Sequence, residues 1–334
     1  MDNVSDNTLK MTRRSFVERA GQLGAMWYDP LGILAGHTAG NTRKRMPEGN
    51  GIFTNVWVDP LAFQTFKKND IRYIYFDIGD VDKTTGKITT PQDQIGAFVN
   101  NLASFEQENN YKFIKLPWNV VIPHEGYRLD LPEFRKNYLD GYVQLVKQFQ
   151  LDGIHVDIEA IHDGLTEEYL GMLKSWRAKL PEKSILSVYG GSITPDSYEN
   201  DTIWSWPESF LPTVFDAGAD VISIQTYDTD TTNENDYRQY LIGQIELARK
   251  CTDGQFRYPI PAHKPWPELS EVAIKEYFEK MLYNCNWPFS GMDLFATWTM
   301  TEEDWKAFDK NSNVLDRKRY GIRKELRDLF CSIF

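Results

Sequence analysis

From Ile52 onward, short runs of aromatic and β-branched residues alternate with longer segments whose apolar positions recur at helical spacing. Phe53 to Val58 reads as a first strand ending at Asp59-Pro60, with Pro60 opening a helix through about Lys68. Ile71 to Ile78 reads as a second strand, Gln92 to Gln107 as a helix, and Tyr111 to Leu116 as a third strand running into Pro117-Trp118-Asn119. Pro132 to Phe149 lines up Phe134, Tyr138, Tyr142, Leu145 and Val146 on one face, the mark of an amphipathic helix. Gly153 to Ile158 follows as a strand, Thr166 to Lys179 as a helix, and Ser184 to Val188 as a strand entering Tyr189-Gly190-Gly191-Ser192. After an aromatic-rich connection from Trp204 to Phe215, Ala219 to Gln225 forms a sixth strand that ends in Thr226-Tyr227-Asp228. A helix over Tyr237 to Lys250, a strand near Arg257 to Ile260, a helix over Ser270 to Tyr283 and a strand over Met292 to Phe295 complete the alternation. Beyond Ala296-Thr297-Trp298, Thr301 and Asp304 suit the cap of a helix containing Trp305 and Phe308.

Eight strand candidates joined mostly by helices predict an α/β fold, a (β/α)8 TIM barrel forming a single domain over 51–334 with a C-terminal helical tail. A doubly wound sheet is the competing architecture. Its dinucleotide-binding form wants a glycine-rich turn after an early strand, and the sequence has none.

Residues 1–50 read as an N-terminal extension. Thr12-Arg13-Arg14-Ser15-Phe16-Val17 resembles a twin-arginine export signal, which would place the protein in the periplasm or outside the cell. Glu18, Arg19 and Trp27-Tyr28-Asp29-Pro30 interrupt the apolar segment such a signal needs. The other reading is an amphipathic helix from Arg14 to Met26 and a cytoplasmic protein. No uninterrupted apolar run reaches the length of a membrane span.

Charge narrows the partners. With 37 Lys and Arg against 48 Asp and Glu, the net charge of -11 disfavours nucleic acid and anionic membranes but is compatible with a neutral polymer. The 10 Trp, 17 Tyr and 19 Phe supply core and, where exposed, platforms for the C–H faces of sugars. The three cysteines, Cys251, Cys285 and Cys331, form no close pair of the metal-site kind and read as free thiols.

The chemistry concentrates in Leu151 to Glu159. On a strand, His155, Asp157 and Glu159 share one face and Ile154, Val156 and Ile158 the other. In a barrel the apolar face meets the helices while the polar face looks into the mouth, with Glu159 nearest the C-terminal rim. Two strand positions set the α-carbons of Asp157 and Glu159 about 6.6 Å apart, close enough for the carboxyls to couple and for one to stay protonated. Such a pair suits general-acid work on an acetal. The same three side chains could instead converge on a cation, but no further ligand is identifiable, and neither a metal nor another cofactor is expected.

Asp152-Gly153-Ile154-His155-Val156-Asp157-Ile158-Glu159 resembles the fourth-strand signature of glycoside hydrolase family 18, Asp-x-x-Asp-x-Asp-x-Glu, with His155 at the second Asp. Ile74-Tyr75-Phe76 resembles the family's second strand, Gln225-Thr226-Tyr227-Asp228 its sixth-strand motif, and Trp298 its eighth-strand tryptophan. The similarity spans roughly residues 52–310; the third strand departs, with Leu116-Pro117-Trp118-Asn119 where the family has Ser-x-Gly-Gly. The resemblance implies a retaining, substrate-assisted hydrolysis of β-linked N-acetylglucosamine, with an oligo- or polysaccharide as partner. Glu159 would be the acid, Asp157 the partner of the acetamido N–H, Tyr227 the donor to the acetamido oxygen, and Trp298 the floor of the reacting subsite. Asp152 and His155 would support them, and Gln225 and Asp228 would line the sugar. His155 would hydrogen-bond to Asp157, either as imidazolium or as neutral imidazole.

Deep-cleft members of that family carry an α+β insertion before the eighth strand. Here Lys264 to Gly291 holds only a loop and a helix, so an open groove and endo-action are expected. Trp118, Tyr189, Trp204 and Trp206 are candidate sugar platforms on the strand-exit side. A catalytically inactive, lectin-like barrel is the alternative.

Overall fold

The computed structural model describes residues 46–47, 49–159, 161, 163–196, 204–227, 233–251, 255–261 and 289–313. The arginine pair, Asp228, the helix expected over Ser270 to Tyr283 and the C-terminal tail beyond residue 313 lie outside the described residues.

The strands are β1 (Asn50–Asn55), β2 (Ile71–Asp77), β3 (Ile114–Trp118), β4 (Val120–Val121), β5 (Gly153–Ile158), β6 (Ile185–Gly190), β7 (Ser192–Thr194), β8 (Ser205–Pro207), β9 (Val221–Ile224), β10 (Gln255–Pro261) and β11 (Phe289–Phe295). Nine of them form one sheet in the order β3-β2-β1-β11-β10-β9-β6-β5-β4, every pairing parallel. β3 and β4 are two pieces of a single stave, interrupted at Asn119. β3 pairs with β2 and β4 with β5, so the sheet returns on itself as an eight-stave (β/α)8 TIM barrel. The doubly wound alternative, an open sheet, is excluded by this return.

Two cores follow from the strand alternation. Ile52, Ile74, Phe76, Ile154, Val156, Ile158, Leu186 and Val188 face outward and pack with the helix residues Phe134, Tyr138, Tyr142, Leu145 and Val146. Met46, Phe53, Tyr73, Tyr75, Leu116, Trp118, Ile185, Val221 and Ala296 fill the barrel itself. Burial on both faces explains why β5 and β6 contain no exposed residue.

Helices Pro132–Phe149 and Thr166–Lys179 and strand β5 have the boundaries that their periodicity predicts. β1 does not: it runs over Asn50–Asn55, and the chain turns at its end through Val58 N–H to Asn55 carbonyl. Gly51 hides this start, because glycine is a poor strand former by propensity. Here it is required, since an added Cβ would lie 2.1 Å from Asp293 Oδ1. The connection from Trp204 holds the short strand β8 and the helix Phe210–Asp216. β8 pairs with β7, which the Gln244 side chain clamps at Ile193 through both backbone groups, at 2.6 and 2.9 Å. Thr301 and Asp304 do form the expected reciprocal cap: Asp304 Oδ2 accepts the Thr301 N–H at 2.7 Å and Thr301 Oγ1 accepts the Asp304 N–H at 3.2 Å.

Candidate active site

The site starts from the way β5 is anchored. At its N-terminal end Asp152 accepts the Lys115 N–H at 2.9 Å, and its carbonyl accepts the Ile185 N–H at 2.8 Å, which ties β5 to both neighbouring staves. Asp152 is therefore a register pin at the end opposite the mouth. Gly153 beside it allows β6 to close in, as an added Cβ would lie 2.0 Å from the Ile185 carbonyl oxygen. At the C-terminal end the Glu159 N–H donates to the Val121 carbonyl at 3.0 Å, which fixes Glu159 just past the strand, on the rim.

Asp157 points inward two residues earlier. It is 4% exposed, and its Oδ1 is buried without a hydrogen-bond partner. Burial pushes its carboxyl well above the usual carboxylate range, and the negative charges of Glu159 and then Asp77 push it further. The neutral form of this inward-facing carboxyl is therefore favoured more strongly than that of a solvated one.

His155 lies one inward position deeper, 1% exposed, with Nδ1 2.8 Å from Ser187 Oγ. Its ring meets Phe53 and Tyr75 edge-on, at centroid distances of 5.4 and 5.1 Å. Burial, reinforced by the Arg257 charge, holds its pKa down at about 3. Of the two protonation states expected for His155, the neutral imidazole is the one this site supports, and the hydrogen bond it makes runs to Ser187. The cation that repels it belongs to an ion pair sealed inside the barrel: Arg257 Nε and Nη2 reach Asp293 at 2.9 and 2.6 Å, with the guanidinium carbon 3.9 Å from the Tyr73 ring centroid.

Past β9, Gln225 is held by its N–H to the Gly190 carbonyl at 2.7 Å, and its Oε1 accepts the Tyr189 hydroxyl at 2.6 Å. Tyr189 and Gln225 therefore act as one unit. Tyr227 stacks on Phe295 with centroids 4.6 Å apart and planes at 4°. Phe295 leads edge-on to Trp298, which is 48% exposed and stacks over the buried Trp118 at 6.4 Å. Tyr227, Phe295, Trp298 and Trp118 thus form an aromatic arc at the mouth, with Trp298 as its open face. Trp204 lies partly buried, edge-on to His124 at 5.4 Å. Trp206 is not a platform: at 2% exposure it packs against Tyr169 and Phe210, filling the outer core under its loop.

Some rim residues escaped the sequence reading. Asp77 ends β2 and accepts the Gly79 N–H at 2.8 Å; the visible signal was an acid at the C-terminal end of a barrel strand. The large apolar side chains left exposed among the described residues, Trp57, Leu61, Val120 and Trp298, all follow the C-terminal ends of β1, β3 or β11. Trp57, at 62% exposure, is the most open aromatic of that group. Asn119, where β3 gives way to β4, accepts both the Tyr138 and Tyr142 hydroxyls. Among the described residues no three His, Cys, Asp or Glu side chains are grouped to hold a metal ion, and no helix is long and apolar enough to cross a membrane.

No family model matches the sequence, and no curated protein matches it. Solved structures do. A family 18 chitinase from Flavobacterium johnsoniae superposes with a TM-score of 0.56 at 12% identity, over 80% of this chain and 95% of that one. A chitinase from Rhizomucor miehei gives 0.55 at 17% identity, over 79% and 100%. The spore cortex-lytic enzyme SleL of Bacillus megaterium gives 0.54 at 14% identity, over 90% and 84%. The chain has the (β/α)8 barrel fold of the glycoside hydrolase family 18 chitinases.

Proposed function

We propose that the protein is a glycosidase that hydrolyses β-linked N-acetylglucosamine glycans with retention, using the substrate's own acetamido group as nucleophile. The observation that carries this reading is the Asp157–Glu159 pair at the end of β5: a rim carboxyl beside a buried one whose Oδ1 has no protein partner. Glu159 protonates the leaving glycosidic oxygen. The acetamido carbonyl then attacks C1 to form an oxazolinium, and water opens it with Glu159 as base. Asp157 Oδ1 accepts the acetamido N–H, and its negative charge stabilises the cation as it forms. Tyr227, held flat against Phe295, donates to the acetamido oxygen, and Trp298 floors the reacting sugar. Tyr189 with Gln225, Trp118, Trp204 and Asp228 complete the sugar site.

The chitinases and the cortex-lytic enzyme among the structural neighbours support this class of glycan. Endo-action on a branched, protein-linked or peptidoglycan-like chain follows from the open groove expected of the short segment before β11. The test is hydrolysis of chitobiose-core glycopeptides, chito-oligosaccharides and peptidoglycan by the wild type and Glu159→Gln, with binding measured in parallel. The wild type should cleave one member of the panel, and the variant should lose about 10²–10⁴-fold in kcat while still binding it. Equal binding by both proteins with no cleavage by either would replace the enzyme with a carbohydrate-binding barrel.

A further inference from the structure

The alternation of β2 determines where Asp77 points. Tyr73 and Tyr75 lie inside the barrel and Ile74 and Phe76 outside it, so Asp77 continues the inward set. On β5, His155 and Asp157 are related in the same way. The Tyr75 and His155 rings meet inside the barrel with centroids 5.1 Å apart, and two residues further along the same two strands stand Asp77 and Asp157. Asp77 has one oxygen committed to Gly79, while Asp157 Oδ1 is buried with no partner.

We propose that Asp77 is a positioning residue for Asp157, setting from two staves away the charge state of the carboxyl that faces the substrate. The proposal rests on the glycosidase reading above for its catalytic meaning. Its physical basis is a coupled carboxyl pair in which the second ionisation is held back by the first. Burial raises Asp77, Asp80 in its own loop raises it further, and the Gly79 N–H opposes both. Among the described residues, the other ionisable groups coupled to the pair are Glu159 at the end of β5, Tyr138 and Tyr142 from the helix Pro132–Phe149, and Tyr169 from the helix Thr166–Lys179. Burial raises all three phenols, so they stay neutral. None of these groups is a cation, so none of them offsets the repulsion between the carboxylates. His155, neutral and bonded to Ser187, brings no charge to Asp157. The substrate-assisted chemistry needs Asp157 ionised while Glu159 still holds its proton, and Asp77 helps determine the pH at which that combination exists.

The test uses the full chain labelled with ¹³C at aspartate carboxyls, with the Asp157 signal assigned by its loss in Asp157→Asn. In Asp77→Asn, removal of the neighbouring charge should lower the Asp157 midpoint by about one pH unit, while Asp77→Glu should keep it near the wild-type value. The acid limb of kcat should move down with the midpoint, and KM should change little. Should Asp77→Asn fail to fold, Asp77→Ser is the second neutral variant. An Asp157 midpoint unmoved in the neutral variant overturns the proposal, whatever happens to cleavage. A midpoint that moves in a protein that cleaves nothing supports the coupling and counts against the glycosidase reading instead.

Discussion

His155 and Asp157 are neighbours on one face of one strand, yet they bias stability against pH in opposite directions. His155 is held near 3 in the fold against an ordinary 6.5. Above 6.5 it is neutral whether folded or not, so its contribution is fully present there. Below 6.5 the unfolded chain takes up a proton that the folded one refuses, and stability is lost as the pH falls toward 3. The ceiling on that loss is on the order of 5 kcal/mol. Asp157 is raised, so the folded state holds its proton more tightly than the unfolded chain does. It favours the fold at low pH, and that contribution disappears as pH rises through its folded pKa. Thermal melts from pH 4 to 8 should therefore separate the two. His155→Gln should narrow the gap in Tm between pH 7 and pH 4. Asp157→Asn should melt higher than wild type at pH 8 by a few degrees, about 2–4 °C per kcal/mol, and be unchanged at pH 4, while losing cleavage. A lower melting point for Asp157→Asn at pH 8 would show that the buried charge is compensated by a partner.

At the scale of the element, β5 has one end pinned to its neighbours and another that carries the candidate carboxyls. Asp152 ties the start of the strand to Lys115 and Ile185; Glu159 leaves its other end at the rim. Asp220 repeats the device on the next connection, accepting the Leu186 N–H at 2.8 Å while Arg177 holds its carboxylate at 2.8 Å. An acid in front of a barrel strand is thus a register pin in this chain, although the motif Asp152 belongs to made it a candidate for the site. Asp152→Ala should cost about 1–3 kcal/mol in denaturant unfolding by orphaning the Lys115 N–H. Asp152→Asn, which keeps an acceptor there, should recover most of that loss, and kcat per folded molecule should follow neither change. Elements of this kind were legible in proportion to how local their causes are. The helix Pro132–Phe149 is written in its own apolar spacing, and β5 in its alternation. The start of β1 was not, because Gly51 is demanded by Asp293 on a strand far away in sequence. Nor was the break at Asn119, which depends on hydroxyls from the helix that follows.

For the whole molecule, what was legible is the outer shell and the strand β5, and what was not is the filling of the barrel. Asp77 was overlooked because its role depends on β5, two staves away around the barrel, and Trp206 was misplaced because rim loops and core-covering loops share a composition. Arg257 and Asp293 were visible as charges inside strands that a parallel barrel buries on both faces, but their pairing is set by β10 and β11 lying side by side. Both are 0% exposed, and Arg257 also donates from Nη2 to the Gly49 carbonyl at 2.9 Å, joining the start of β1 to the same cluster. This pair cross-links the β10–β11 and β11–β1 seams from inside. A buried pair is costly to break and weak as a net stabiliser. Arg257→Met should therefore destabilise by about 3–5 kcal/mol, because it leaves the Asp293 charge unpaired in an apolar interior. Arg257→Met with Asp293→Leu should recover much of the loss, and denaturant unfolding of both single variants and the double variant would measure the coupling. The same series bears on the site above it. Removing Arg257 takes away the cation that helps depress His155, so the His155 midpoint should rise in Arg257→Met while it remains buried. A His155 midpoint that stays in place would mean that burial alone keeps the imidazole neutral and that the ion pair has no part in the chemistry of the mouth.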